Sequence, residues 1–311
     1  MNNDAIVNKD AIKQPRIKPF PILSSLSHLK PLAAVDVLHL DKIHPIISGN
    51  KWYKLKYNLI EAEKQGYGSL LSCGGPHSNH LHALACAGQS LGFKTLAFVR
   101  GYEELPLTPT LKDCQRMGME LMFVDKQTYR QRYDEQWWQQ QAEKYSSYWI
   151  AEGGDNSFGH HGCAELAQYC QGYDEVWLSI GSGCTFLGLA EGLESLASTF
   201  TGPLPSIQGV LAIKGGEALG GDLLSQVGEQ HHINTAGHLG GFGKCPQPLI
   251  DLIQSYDQQG LMLDPVYTGK LVMAFEQSWQ AGILDESKRY LIIHSGGLQG
   301  RRGVKALVDA E

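Results

Sequence analysis

The chain predicts an α/β protein of two open, twisted parallel-sheet lobes, on three observations. Short apolar runs alternate with helix-like stretches from about residue 48 onward, and the alternation falls into two series that part near residue 158. Several runs stop in glycine, as at Gly74-Gly75, Gly181-Ser182-Gly183 and Gly296-Gly297. In such sheets ligands lie at the carboxyl ends of strands, here in the crevice between the lobes.

The first series opens with a helix at Trp52 to Leu59, entered through Ser48-Gly49-Asn50-Lys51. Ser69 to Cys73 is a strand stopped by Gly74-Gly75, and Ser78 to Ser90 is a helix with small and apolar residues on one side. Lys94 to Val99 reads as a strand, Thr110 to Met117 as a helix and Glu120 to Val124 as a strand. The Gln- and Glu-rich stretch Lys126 to Tyr145 suits a solvent-facing helix, followed by the strand Tyr148-Trp149-Ile150. The second series runs helix 159–171, strand Glu175 to Ile180, glycine loop, helix 185–197 and strand Gln208 to Ile213. Helices near 246–259 and 268–280 and the strand Arg289 to Ile293 complete it.

With 311 residues, 42% hydrophobic and 19% charged, the composition is that of a soluble globular protein. A formal net charge of -6 without a basic block argues against nucleic acid or an anionic membrane surface as main partner. No apolar run reaches bilayer length, and Met1 to Asp10 lacks the apolar core of a signal peptide. Seven cysteines occur with no Cys-x-x-Cys pair, so a cytoplasmic protein with free thiols is expected. The histidine clusters (His77, His80 and His82; His160 and His161; His231 and His232) lack the metalloprotease i,i+4 pair with its glutamate, so no metal is expected.

Lys51 stands at a glycine-preceded helix start, where unpaired N–H groups disfavour an ammonium and make an amine easier to deprotonate. The same residues also read as a plain turn and cap. Gly181-Ser182-Gly183-Cys184-Thr185, between strand and helix, is either a phosphate cup or an ordinary tight turn. Ser78 and Asn79 are good N-cap types whose polar groups would equally hold a carboxylate. Tyr267, in Asp264-Pro265-Val266-Tyr267-Thr268-Gly269-Lys270, is either inert or an acid/base whose phenol pKa falls beside a cation. Ile292-Ile293-His294-Ser295-Gly296-Gly297 is a buried strand with a polar stop.

One lysine, a phosphate cup, a carboxylate seat and a tyrosine on two α/β lobes suggest a pyridoxal phosphate enzyme. Through Ser48 to Lys51 with Lys54-Leu55, Gly74-Gly75 with Ser78-Asn79-His80, Gly181 to Thr185, Asp264 to Lys270 and His294 to Gly297, the chain resembles a known family. It is the D-cysteine desulfhydrase and 1-aminocyclopropane-1-carboxylate deaminase family, within the tryptophan synthase β-like superfamily of fold type II. Order and approximate spacing hold from about residue 30 to 303.

The resemblance implies a large cofactor-binding domain over 1–47 and 157–311, a small domain over 48–156, and the cofactor in the cleft. It implies that Lys51 forms the Schiff base and moves protons, that Asn79 meets the cofactor's phenolic oxygen, and that Lys54 helps hold the phosphate over Gly181, Ser182, Gly183, Cys184 and Thr185. Ser78, with Asn79 and His80, would contact the substrate carboxylate, and Ser78 would assist proton removal. Tyr267 would be a polar catalytic group, and Ser295 would meet the pyridine nitrogen. Thr268 stands where deaminases resemble Asp-Pro-Val-Tyr-Glu, which points to the desulfhydrase branch. Phe242, in Gly240-Gly241-Phe242-Gly243, stands where the family often carries a second tyrosine. The implied reaction is α,β-elimination of a small amino acid, D-cysteine first, to pyruvate, hydrogen sulfide and ammonia, by a homodimer. Alternatives are 1-aminocyclopropane-1-carboxylate deamination, a pyridoxal phosphate-binding protein with little turnover, and a nucleotide-binding α/β protein.

Overall fold

The computed structural model describes residues 12–308. The signal-peptide reading of residues 1–10 and the extreme ends of the expected large domain lie outside them. Among these described residues, ten strands fall into two sheets. They are β1 (Arg16–Pro19), β2 (Ala34–His39), β3 (Ser69–Gly74), β4 (Lys94–Arg100), β5 (Glu120–Val124), β6 (Tyr148–Trp149), β7 (Glu175–Ile180), β8 (Ser206–Leu211), β9 (His232–Asn234) and β10 (Arg289–His294). The larger sheet has the order β1-β2-β10-β7-β8-β9 and the smaller one β5-β4-β3-β6. Every pairing is parallel except β1 with β2. All six residues of β7 are buried, the mark of a central parallel strand covered on both faces.

The helices are α1 (Asn50–Lys64), α2 (Asn79–Leu91), α3 (Pro109–Arg116), α4 (Lys126–Arg130), α5 (Glu135–Lys144), α6 (Ser157–Ala164), α7 (Cys184–Ser195), α8 (Glu217–Leu224), α9 (Gln247–Asp257) and α10 (Thr268–Gln280), with a short turn of helix at Lys305–Val308. The expected single helix over 126–145 is two, because the Asp134 carboxylate caps a new start by accepting from the N–H groups of Gln136 and Trp137. The expected helix 159–171 is α6 followed by a tighter 3-10 stretch, Glu165–Tyr169. Strands β1, β2 and β9 have no counterpart in the sequence reading. β2 lies between β1 and β10, so its strand character is completed by a neighbour some 250 residues away.

One cluster of buried side chains runs from Leu70 and Ala97 in the small sheet, through Leu55 and Leu59 of α1, to Val176 and Leu291 in the large one. Two glycines let α1, α6 and α7 approach this closely. A Cβ on Gly162 would lie 1.8 Å from the Tyr53 carbonyl oxygen, and one on Gly188 2.5 Å from that of His160. The turns after β7 and β10 both meet the start of α1, through Thr185 and Ser295 on Asn50, and the turn after β10 also meets α2, which follows β3, at Asn79.

Candidate active site

The start of α1 is pinned from behind. Gly49 has φ +70°, and a Cβ there would lie 1.8 Å from the Ser295 carbonyl oxygen, so both the conformation and the space require glycine. Its N–H donates to Leu40 O at 2.8 Å, and the Asn50 N–H donates to Ser295 O at 3.2 Å. The Asn50 amide then donates to Thr185 Oγ1 at 2.8 Å, tying the helix start to the glycine loop after β7. Lys51 is thus held at the second residue of α1, half-buried. Burial, and then the neighbouring Lys54 ammonium, push its amine down to about 7. Desolvation is the larger cause, not the helix terminus alone that the sequence pointed to.

The loop after β7 has the features of an anion seat. Gly183, with φ +103°, precedes the first turn of α7, whose free N–H groups open into the loop. Ser182 Oγ is buried without a hydrogen-bond partner. Lys54 is almost fully buried nearby, and although burial opposes its charge, Cys184, Cys163 and Asp155 together raise its pKa. An unpartnered hydroxyl, backbone donors and a buried ammonium fit a phosphate dianion.

On the opposite wall, the Ser78 hydroxyl caps α2 by accepting from Leu81 N at 3.2 Å, which leaves its own proton free to donate. Asn79 follows, with Oδ1 accepting from Gln299 Nε2 at 2.5 Å. A Cβ on Gly297 would lie 2.7 Å from Asn79 Nδ2, so the turn after β10 closes over α2. Ser295 Oγ pairs with Ser179 Oγ at 3.3 Å, a hydroxyl pair with no carboxylate in it. The Tyr267 phenol reaches the Gly181 backbone, lying 3.3 Å from where a Cβ would stand there. Phe242 packs edge-on against Tyr267 with ring centroids 5.7 Å apart.

Three groups carry bonding that residue type does not show. The His80 ring offers no donor to a substrate carboxylate, which leaves the His80 backbone N–H, in the first turn of α2, to contact one. Ser72 Oγ donates to Ile150 O at 2.7 Å, so it accepts from His80 Nε2 at 2.8 Å. That leaves the ring neutral with only a bare, buried Nδ1, which would repel a carboxylate. Burial, then Lys51 and Lys54, push its pKa down to about 3. Thr268 is not free to face a cofactor, because its hydroxyl accepts from Asp264 N and donates to Asp264 Oδ1, both at 2.8 Å. The Tyr267 phenol is not acidified: burial, Asp264 and Glu152 hold its pKa well above the usual tyrosine value. Asp264 itself had been read only as turn chemistry. It is fully buried, and its carboxylate also accepts from the N–H groups of Val266, Tyr267 and Thr268. Gln299 had no local signal, being 220 residues from Asn79.

Comparison with known proteins now adds to this geometry. Residues 17–296 match the family described as pyridoxal-phosphate dependent enzyme. The chain belongs to that family. Its cofactor is pyridoxal phosphate. A relative from Thermotoga maritima, provisionally named a 1-aminocyclopropane-1-carboxylate deaminase, is 29% identical over 81% of this chain and 85% of its own. A D-cysteine desulfhydrase from Salmonella newport is 25% identical over 83% and 85%. The crystal structure of an ACC deaminase homologue superposes with a TM-score of 0.78 at 24% identity, covering 98% of this chain and 96% of that one. A threonine deaminase isoform from Solanum lycopersicum shares the fold more distantly, with a TM-score of 0.63 and 15% identity. Among the described residues no helix is long and apolar enough to cross a membrane.

Proposed function

We propose that this pyridoxal phosphate enzyme catalyses α,β-elimination on a small amino acid, with D-cysteine the leading substrate and pyruvate, hydrogen sulfide and ammonia the products. The observation that carries the reading is Lys51, a half-buried amine pushed down to about 7 and held at the wall between the Ser182 loop and α2. The cofactor supplies a carbonyl for amines and an electron sink for charge at the substrate α-carbon. Lys51 Nζ, neutral for much of the time near pH 7, is the chain's own nucleophilic amine and would hold or return a proton beside the bound group. The Ser182 hydroxyl, the first N–H groups of α7 and Lys54 would hold the phosphate. Asn79, braced by Gln299, would meet the edge of the cofactor ring. The Ser78 hydroxyl and the N–H groups opening α2 receive the substrate carboxylate. Tyr267 stays protonated and donates a hydrogen bond rather than acting as a base.

Ser295, paired with Ser179, is a weak partner for a pyridine nitrogen, which suits elimination more than transamination. Thr268, spent on Asp264, offers no carboxylate to that nitrogen, which favours the desulfhydrase reading over the deaminase one. The test is keto-acid and sulfide release by the purified holoenzyme from D- and L-cysteine and from 1-aminocyclopropane-1-carboxylate, with Lys51→Ala as control. Pyruvate and sulfide from D-cysteine, lost in the control, support the proposal. α-Ketobutyrate from the cyclopropane with D-cysteine untouched, or no keto acid from any of them, overturns it.

A further inference from the structure

Asp155, His160 and Cys184 bring their side chains together beside the Ser182 loop, where the proposed elimination chemistry uses only the Cys184 backbone. One ligand-type atom from each lies within 4.8 Å of the others. His160 Nε2 is already 3.1 Å from Asp155 Oδ1, and Cys184 Sγ points the same way, 3.5 Å from the Gly154 carbonyl oxygen. A tetrahedral zinc ion sets its ligand atoms about 3.5 Å apart, from bonds of about 2.0 to 2.3 Å. The thiol side of the group therefore has to close by no more than about 1.3 Å. The Asp155 and His160 side chains are partly exposed, giving the freedom to close and a path of entry. A second feature is independent of the cluster: Glu191 Oε1 lies 3.4 Å from the other ring nitrogen of His160. Without a metal, Nε2 faces Asp155; once a metal takes Nε2, the Nδ1–H faces the Glu191 carboxylate, which orients the ring.

We propose that Asp155, His160 and Cys184 form a site for a divalent transition metal of the zinc class, with Glu191 orienting the histidine. The mixed oxygen, nitrogen and sulfur set suits zinc or cobalt and not magnesium or calcium. Binding displaces to solvent both the thiol proton and the Nε2 proton that His160 shares with Asp155, so that Cys184 thiolate and Asp155 carboxylate balance the two charges of the ion. Three protein ligands leave a fourth position for water. Because Cys184 is also the first residue of α7, the metal would sit against the helix whose N-terminus opens into the anion seat.

Cobalt(II) is the probe, titrated into the holoenzyme while its tetrahedral ligand-field bands are followed in the red, clear of cofactor absorption. One equivalent is expected to give these bands, and zinc to bleach them by displacement. Cys184→Ser and His160→Gln are expected to abolish them. Glu191→Gln, a change at a largely exposed surface side chain that leaves folding intact, is expected to weaken binding by about 10- to 100-fold. No ligand-field bands with the wild type, bands unchanged in Cys184→Ser, or unaltered affinity in Glu191→Gln would each overturn the assignment.

Discussion

The lowered pKa of Lys51 makes a prediction that needs no assumption about the substrate. An amine shifted from 10.5 to about 7 is roughly three-quarters neutral at about pH 7.5, against roughly 0.1% for an ordinary lysine. At equal intrinsic nucleophilicity that is a gain of several hundred-fold in reactive amine. The assay is reduction-trapped labelling of the cofactor-free chain with pyridoxal, which lacks a phosphate and so leaves Lys54 out of the binding. Incorporation into the Lys51 peptide is read by mass spectrometry across pH. The wild-type midpoint is expected near about 7. Lys54→Met removes the second cause while leaving burial, so its midpoint moves up but stays below the ordinary lysine value. A stability measurement gives an independent check on the same group. Between about pH 7 and 10.5 the unfolded chain binds a proton that the folded one does not, so stability rises with pH across that window. Lys51→Met is expected to remove that rise. A wild-type labelling midpoint near 10, or a Lys54→Met midpoint that falls, would refute the reasoning.

Two further perturbations probe the scaffold. Gly49→Ala forces a side chain into positive φ and against Ser295 O, and is expected to cost about 3 kcal/mol and release the cofactor, measured by denaturation and by loss of the visible absorption band. Asp41 is buried, which alone would raise its pKa, yet hydrogen bonding from His39 and the charges of His294, His39 and Lys42 bring it down to about 2. A depressed carboxyl contributes stability above its unfolded value and loses it as pH falls through the folded one. Asp41→Asn is therefore expected to lack about 2 kcal/mol of acid sensitivity between about pH 4 and 2, read from urea midpoints.

Features of the chain that depend on near neighbours were legible in the sequence. The strand and helix series, the glycine stops, and Lys51 at a helix start all follow from local periodicity and turn chemistry, and the two parallel sheets follow from their alternation. The same reading missed β2, whose partners β1 and β10 must both arrive before its backbone is paired. It left the bonding of His80 and Thr268 open, because a residue's type names what it can bond to and not what it has already bonded to. Ser72 fixes the proton of the one, and Asp264 consumes the hydroxyl of the other. Phe242, an open question in the sequence, packs on Tyr267, and the loop that carries it is tied down by Lys270, a buried lysine 29 positions from Gly241, which donates to the Gly241 carbonyl oxygen. The sequence alone thus named the family to which the chain belongs and the candidate groups. Burial and long-range hydrogen bonds, which exist only once the lobes have packed, decided their protonation and which of them remain free to act.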